Sequence, residues 1–144
     1  MKQDSQSMSR QEAAQRIYFK LNARTRPRVE RGESTLYVVY RTPDGVSRKV
    51  AVLTVSGNGG APVATCKRWS IDQTALQPCP MKGDNGKEVT FKLPVASPTE
   101  IRAAVAYVNE VATAFSVAEQ VNADARRRLG TSVTAISGPG LPRA

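Results

Sequence analysis

The residues with the most reactive side chains are two cysteines, Cys66 and Cys79, in the stretch TCKRWSIDQTALQPCP at residues 65–80. This stretch also holds the single tryptophan, and the chain contains no histidine. Because histidine is the commonest general base and metal ligand near neutral pH, its absence excludes most catalytic triads and most zinc sites. Two cysteines cannot complete a four-ligand zinc set, and their spacing is not the CxxC of redox motifs. We therefore expect no metal and no cofactor.

Other catalytic patterns are equally scarce. The glycine-rich segment SGNGGAPV, residues 56–63, lacks the GK[ST] of a phosphate-binding loop, and no helical pattern follows it. A lyase or nuclease that uses a lysine and a carboxylate, with Lys92 and Glu88 as the candidate pair, is one alternative, and turnover of labelled RNA would favour it. We expect a binding or structural protein rather than an enzyme.

The charge of the chain points to its partners. Its 144 residues carry 21 Lys and Arg against 12 Asp and Glu, a net charge of +9. Such a charge favours polyanions, nucleic acid first and an anionic membrane second. No apolar run is long enough to span a bilayer, and the N-terminus MKQDSQSMSR has no apolar stretch typical of a secretory signal. We expect one domain, residues 1–144, made in cytosol-like surroundings and with no membrane partner.

The N-terminal segment, residues 1–33, has two parts. SRQEAAQR contains good helix formers and a possible capping box between Ser9 and Glu12, which predicts a short helix. IYFKLNAR, residues 17–24, begins with β-branched and aromatic residues and could either continue that helix or begin a strand, and we favour the strand. A basic connection with four arginines around Pro27 follows at residues 22–33.

Residues 34–95 predict an antiparallel sheet. TLYVVYRT and SRKVAVLTVS are rich in β-formers and are joined by PDG, which is hairpin turn chemistry. Residues 57–86 show no periodicity and are interpreted as a long loop around the cysteines. In KEVTFKLPV, apolar and polar residues alternate, which is typical of a half-buried strand.

Residues 96–130 change to helical periodicity. Ser97, Pro98 and Glu100 form a capping box with proline at the first helical position. A second capping box at Ser116 and Glu119 predicts a break and a second helix that ends near Gly130. The tail, residues 131–144, is expected to be ordered only when something docks it. The fold class is therefore α+β, a sheet with two C-terminal helices packed on one face.

This order of elements, from residue 35 to about residue 129, resembles the coat proteins of single-stranded RNA bacteriophages, the leviviruses. EVTFKLPVASPTEIRAAVAYVNEVATAF is similar to the last strand and first C-terminal helix of that family. The chain departs from the family at its N-terminus, where a β-hairpin is usual. The resemblance implies an interlocked dimer with sheets joined edge to edge, which assembles into an icosahedral shell in the virion after synthesis in the bacterial cytoplasm. It also implies that the inner sheet face binds genomic RNA and a translational-operator hairpin.

The sheet supplies the candidate RNA contacts. Alternation predicts that Tyr37, Val39 and Arg41 share one face, and a tyrosine there could stack on an unpaired base. A solvated strand end is the alternative for Arg48 and Lys49, and a wet sheet face is the alternative for Glu88, Thr90 and Lys92. For Tyr37 the alternative is simple packing within the strand. A small nucleic-acid-binding protein of host or plasmid origin, which forms no shell, is the alternative function. The candidates are Tyr37, Arg41, Arg48, Lys49, Glu88, Thr90 and Lys92.

The family resemblance suggests a role for the cysteines. In the family, the loop before the last strand surrounds the symmetry axes of the shell, so Cys66 and Cys79 could form disulfides between subunits once the particle meets an oxidant. A bridge within one chain and two unrelated thiols are the other possibilities.

Overall fold

The structure is a computed structural model that describes residues 8–21, 29–57, 60–70 and 77–137, without the side chains of residues 126 and 129–137. It is an α+β fold in which helices pack on one face of a five-stranded antiparallel sheet. The described elements, in chain order, are α1 (Arg10–Leu21), β1 (Val29–Gly32), β2 (Thr35–Arg41), β3 (Ser47–Ser56), β4 (Val63–Lys67), β5 (Trp69–Ser70), β6 (Cys79–Pro80), β7 (Thr90–Pro94) and α2 (Pro98–Ser137).

Helix α1 confirms the predicted N-terminal helix and corrects the strand predicted to follow it. The Ser9 hydroxyl accepts the Glu12 N–H at 3.0 Å, which caps the helix. The helix then continues through Ile17 to Leu21, and both of these side chains are buried with Ala13 and Ala14. Their helical spacing places the four side chains on one core-facing stripe, which outweighs the modest β-propensity of isoleucine and tyrosine.

The sheet is an antiparallel meander with the order β1-β2-β3-β4-β7. The predicted hairpin of β2 and β3 is confirmed, and its turn uses Gly45 at a φ of 90°, which favours glycine. Strand β1 pairs with β2 from Gly32↔Thr35 to Val29↔Val38, so part of the predicted basic connection is a strand. Residues 22–28 of that connection lie outside the described residues.

The predicted long loop at residues 57–86 is wrong in its described parts, because three strands lie within it. β4 pairs with both β3 and β7, and its alternate residues Ala64 and Cys66 are buried. β5 and β6 pair with each other as a small two-stranded sheet. Residues 58–59 and 71–76 are outside the described residues.

Strand β7 confirms the predicted half-buried strand. Phe91 and Leu93 are half-buried, whereas Thr90 and Lys92 are exposed. Its register with β4 sets Lys92 opposite Thr65 and Phe91 opposite Cys66. β7 is the last strand in the sheet order, so it forms one edge of the sheet.

Helix α2 begins at the predicted capping box. The Ser97 hydroxyl accepts the Glu100 N–H at 3.2 Å, and the Glu100 carboxylate accepts the backbone N–H groups of Ala96 and Ser97 at 2.9 and 3.1 Å. These contacts satisfy backbone donors that the first helical turn leaves without partners.

The predicted break at Ser116 is wrong, because α2 is one helix of 40 residues. Glu119, the supposed second capping residue, instead accepts the backbone N–H of Arg41 at the end of β2. The buried positions Phe115, Ala118 and Asn122 continue the core-facing stripe through the predicted break. Tertiary contacts on both sides of Ser116 therefore hold the helix together, and two C-terminal helices are replaced by one.

The core lies between the sheet and the two helices. Paired strands contribute Leu36, Leu53 and Cys66 to the covered face, and each is at most 1% exposed. From α2, Phe115 packs against Tyr40 at 4.6 Å and edge-on against Trp69 at 5.6 Å between ring centroids. Within the described residues, no helix is both long and apolar enough to cross a membrane.

Candidate nucleic-acid interface

The face of the sheet turned away from the helices, called the open face below, carries a row of polar side chains. Register places Thr35 opposite Thr54, Thr54 opposite Thr65, and Thr65 opposite Lys92, so the row crosses four strands. The hydroxyl oxygens of Thr35 and Thr54 are 3.2 Å apart and share a hydrogen bond. Hydroxyls both donate and accept, so this row offers hydrogen bonds to phosphate or sugar oxygens.

Two lysines stand at the β7 end of this row. Lys67 pairs with Thr90 in register, and its Nζ lies 3.5 Å from the Glu88 carboxylate. Lys92, the residue that ends the row, is exposed and has no ion-pair partner within 4.0 Å among the described side chains. An unpaired ammonium group on an open surface is the simplest contact for a phosphate.

A second group on the open face surrounds Tyr37. Lys49 Nζ lies 5.0 Å from the centroid of the Tyr37 ring and 3.3 Å from the Glu30 carboxylate. Glu30 pairs with Tyr37 in register, so one group spans β1, β2 and β3. A cation over an aromatic ring is stabilising, and here it occupies one side of the tyrosine. A base that stacks on that side of Tyr37 must first displace Lys49.

The two remaining arginine candidates lie elsewhere. Arg48 pairs with Tyr40, whose ring packs on Phe115 of α2, so Arg48 points to the helix-covered side of the sheet. Arg41 follows the predicted alternation, but it is the last residue of β2 and borders a recess beside Glu119. The structure therefore places Thr90 and Lys92 on the open face, pairs Glu88 with Lys67, and sets Arg48 and Arg41 apart from them.

The cysteines differ sharply in environment. Both thiols are free; Cys66 is fully buried on β4, and Cys79 is exposed on β6. Burial raises the pKa of the Cys66 thiol to about 12, so the thiol remains protonated and unreactive at neutral pH. The expectation that Cys66 lies in an irregular loop is therefore wrong. In this structure its sulfur, within the core, is not placed to bond with a neighbouring subunit.

Beside the β7 edge, between the sheet and α2, lies a cavity of about 230 Å³, called the aromatic cavity below. Tyr107 of α2 connects the helix to the strands that line this cavity. Its hydroxyl accepts the indole N–H of Trp69 at 2.9 Å and donates to the Lys67 carbonyl at 2.7 Å. Burial raises the pKa of Tyr107 to about 12, so this hydroxyl is a neutral donor. The lining residues are Lys67, Arg68, Trp69, Met81, Phe91, Tyr107, Glu110 and Val111.

The pair suggested for catalysis is not assembled. The Glu88 carboxylate contacts Lys67, whereas Lys92 has Thr65 as its register partner. Among the described residues there is also no group of three His, Cys, Asp or Glu side chains able to hold a metal ion.

Sequence reasoning predicted Thr90 but missed Thr35, Thr54, Thr65 and Lys67 of the open face. The segment TCKRWS falls within the predicted loop, although Ala64 and Cys66 alternate with Thr65 and Lys67 as they would in a strand. This alternation is the signal that could have identified a strand, but it covers only a few residues.

Comparison with known proteins returned no counterpart. No protein family, no curated protein and no solved structure matches this chain.

Proposed function

We propose that this protein is the coat protein of a single-stranded RNA bacteriophage and is located in the virion after its synthesis in the host cytoplasm. In this proposal, dimers assemble into an icosahedral shell, and the open face binds genomic RNA, including an operator hairpin. The observation that carries the proposal is a sheet with helices on one face and the threonine row with Lys67 and Lys92 on the other. The assembly of dimers into a shell is proposed because the sequence resembles the coat-protein family.

The open face supports RNA rather than a small ligand. It extends across four strands, and it combines hydroxyls, lysines and one tyrosine. Single-stranded nucleic acid is bound by such combinations, in which cations follow the backbone and aromatic rings contact bases. The net charge of +9 raises the local concentration of any polyanion.

Two surfaces support a dimer. Strand β7 is an edge strand whose half-buried Phe91 and Leu93 are suited to pairing with a second copy, whereas β1 at the opposite edge carries the exposed Glu30 and Arg31. On α2, Val117 is 56% exposed and Val121 is 42% exposed. These valines lie one helical turn apart and present apolar surface to a partner.

The length of α2 also supports a dimer with a second copy of the chain. Forty residues span about 60 Å as a helix, whereas a five-stranded sheet is only about 20 Å wide. The buried positions of α2 run from Ile101 to Asn122 among the side chains that the structure describes. We infer that the part of α2 beyond Asn122 crosses onto a second copy, as an interlocked dimer requires.

Expression of the chain alone in a bacterium tests the proposal. Electron microscopy should show uniform shells, and the RNA inside them should resist nuclease until the shells are dissociated. A stable monomer at micromolar concentration would contradict both the shell and the dimer.

The same experiment separates the alternative, a small basic nucleic-acid-binding protein. Such a protein would share the charge and the open face, but light scattering would find a small oligomer, with RNA that nuclease removes freely. That outcome would support RNA binding by the open face and contradict assembly into a shell.

A further inference from the structure

We propose that the aromatic cavity binds an unpaired purine base, with guanine preferred, at a site next to the open face, with which it shares Lys67. The proposal goes beyond coat function, because a base bound here needs neither a shell nor contact with the threonine row. Its basis is a cavity of one ring system's size, walled by aromatic rings and bordered by two cations and one carboxylate.

The size of the cavity limits its occupant. At about 230 Å³ it is smaller than the pockets of roughly 300 Å³ and above that hold drug-sized ligands. Its walls include the indole of Trp69, the ring of Phe91 and the exposed side chain of Met81. Flat, apolar walls suit one planar ring system.

The cations around the cavity favour a nucleotide over an aliphatic side chain. The guanidinium of Arg68 lies 4.5 Å from the Phe91 centroid, and Lys67 Nζ lies 5.9 Å from the Trp69 centroid. A guanidinium over a ring can also stack on a base, and a nearby ammonium offers charge to the phosphate. An aliphatic group from a protein partner would cover the Arg68 guanidinium, which has no ion-pair partner within 4.0 Å among the described residues, without pairing it, and this is costly.

Glu110 supplies the preference for guanine. It lines the cavity from α2, and neither Glu110 nor Arg68 has an ion-pair partner within 4.0 Å in the part of the chain that the structure describes. An ionised carboxylate only accepts hydrogen bonds. The Watson–Crick edge of guanine presents two adjacent donors, N1–H and the N2 amino group, whereas that of adenine alternates a donor with an acceptor.

The single tryptophan makes the test direct, because Trp69 lines the cavity and is the only indole in the chain. Protein freed of nucleic acid is titrated with GMP, AMP, CMP and UMP while tryptophan emission is recorded, with N-acetyltryptophanamide as the control for light absorbed by nucleotide. We expect a saturable change, with GMP binding about fivefold or more tightly than AMP, since a bidentate base contact discriminates by about five- to 150-fold.

Two variants and one control assign the effect to the cavity. Glu110→Gln should abolish the preference for GMP, and Arg68→Ala should weaken the binding of all four nucleotides. Arg102→Ala removes an exposed arginine of α2 that contacts Thr99 outside the cavity, so its titrations should match those of the unmodified protein. Thermal melts establish that each variant is folded.

Three results would overturn the proposal. The first is the absence of a saturable change with any nucleotide at millimolar concentration. The second is equal binding of all four nucleotides that Glu110→Gln does not alter. The third is an emission spectrum that shifts with protein concentration and not with nucleotide, which would assign the cavity to a contact between copies of the chain.

Discussion

Arg48 and Lys49 are consecutive residues of β3 whose side chains point to opposite faces of the sheet. Arg48 pairs with Tyr40 on the helix-covered side, and Lys49 pairs with Val39 and lies over Tyr37 on the open face. Both are exposed cations at the same end of one strand. They form a matched pair for testing which face of the sheet meets RNA.

Lys49→Ala should weaken RNA binding and lower the slope of log affinity against log salt by about 1, because one phosphate contact is lost. Lys92→Ala should act in the same way. Arg48→Ala is the control and should leave the slope unchanged. Filter binding across a salt series measures all three variants. Equal losses of RNA affinity from Arg48→Ala and Lys49→Ala would show that the open face is not the RNA site.

Tyr107→Phe should lower the free energy of unfolding by about 1–3 kcal/mol, because it leaves partly buried backbone and indole groups without a hydrogen-bond partner. The hydroxyl that is lost contacts Trp69 Nε1 and the backbone of Lys67. Tyr40→Phe is the control, since that ring packs on Phe115 and no hydrogen bond of its hydroxyl is found among the described residues. Urea unfolding compares them, and equal midpoints would contradict a structural role for the Tyr107 hydroxyl.

A thiol reagent should label Cys79 rapidly and Cys66 only after unfolding, because Cys79 is exposed and Cys66 is fully buried. The native protein should therefore take up one label per chain and the denatured protein two, as mass spectrometry would show. Cys79→Ser should abolish native labelling. Rapid labelling of Cys66 in the native protein would show that β4 opens readily.

The raised pKa of Cys66 also predicts alkaline sensitivity. The thiol titrates near 9 when unfolded and near 12 when folded, so between these values the unfolded chain holds fewer protons than the folded one. Stability from the buried neutral thiol is thus complete below about pH 9 and declines as pH rises toward 12. Cys66→Ala should flatten this decline in melts recorded from pH 8 to 11, after allowance for Tyr107, which acts in the same direction.

Ser97→Ala should destabilise the protein by roughly 0.5–2 kcal/mol, because Ser97 caps α2 and its hydroxyl accepts the Glu100 N–H. Ser116→Ala is the matched control, since Ser116 lies inside one continuous helix, where alanine is at least as favourable. Thermal unfolding should separate the two variants. A comparable loss from Ser116→Ala would indicate that Ser116 begins a second helix after all.

Local patterns in the sequence were sufficient for some elements. The alternation of TLYVVYRT assigned Leu36, Val38 and Tyr40 to one face because side chains in a strand alternate wherever the strand lies. The capping box at Ser97 identified the start of α2 because its partners lie within one helical turn. Such features depend only on neighbours in the chain.

Other features depended on residues distant in sequence, and these required the tertiary structure. Cys66 and Trp69 look like loop residues until β4 pairs with β3 and β7 and Tyr107 accepts the indole N–H from α2. Ser116 looks like a helix start until Glu119 is seen to bind the backbone of Arg41 instead. Local propensities differ by only about 1 kcal/mol between alternatives, so burial and long-range hydrogen bonds decide them.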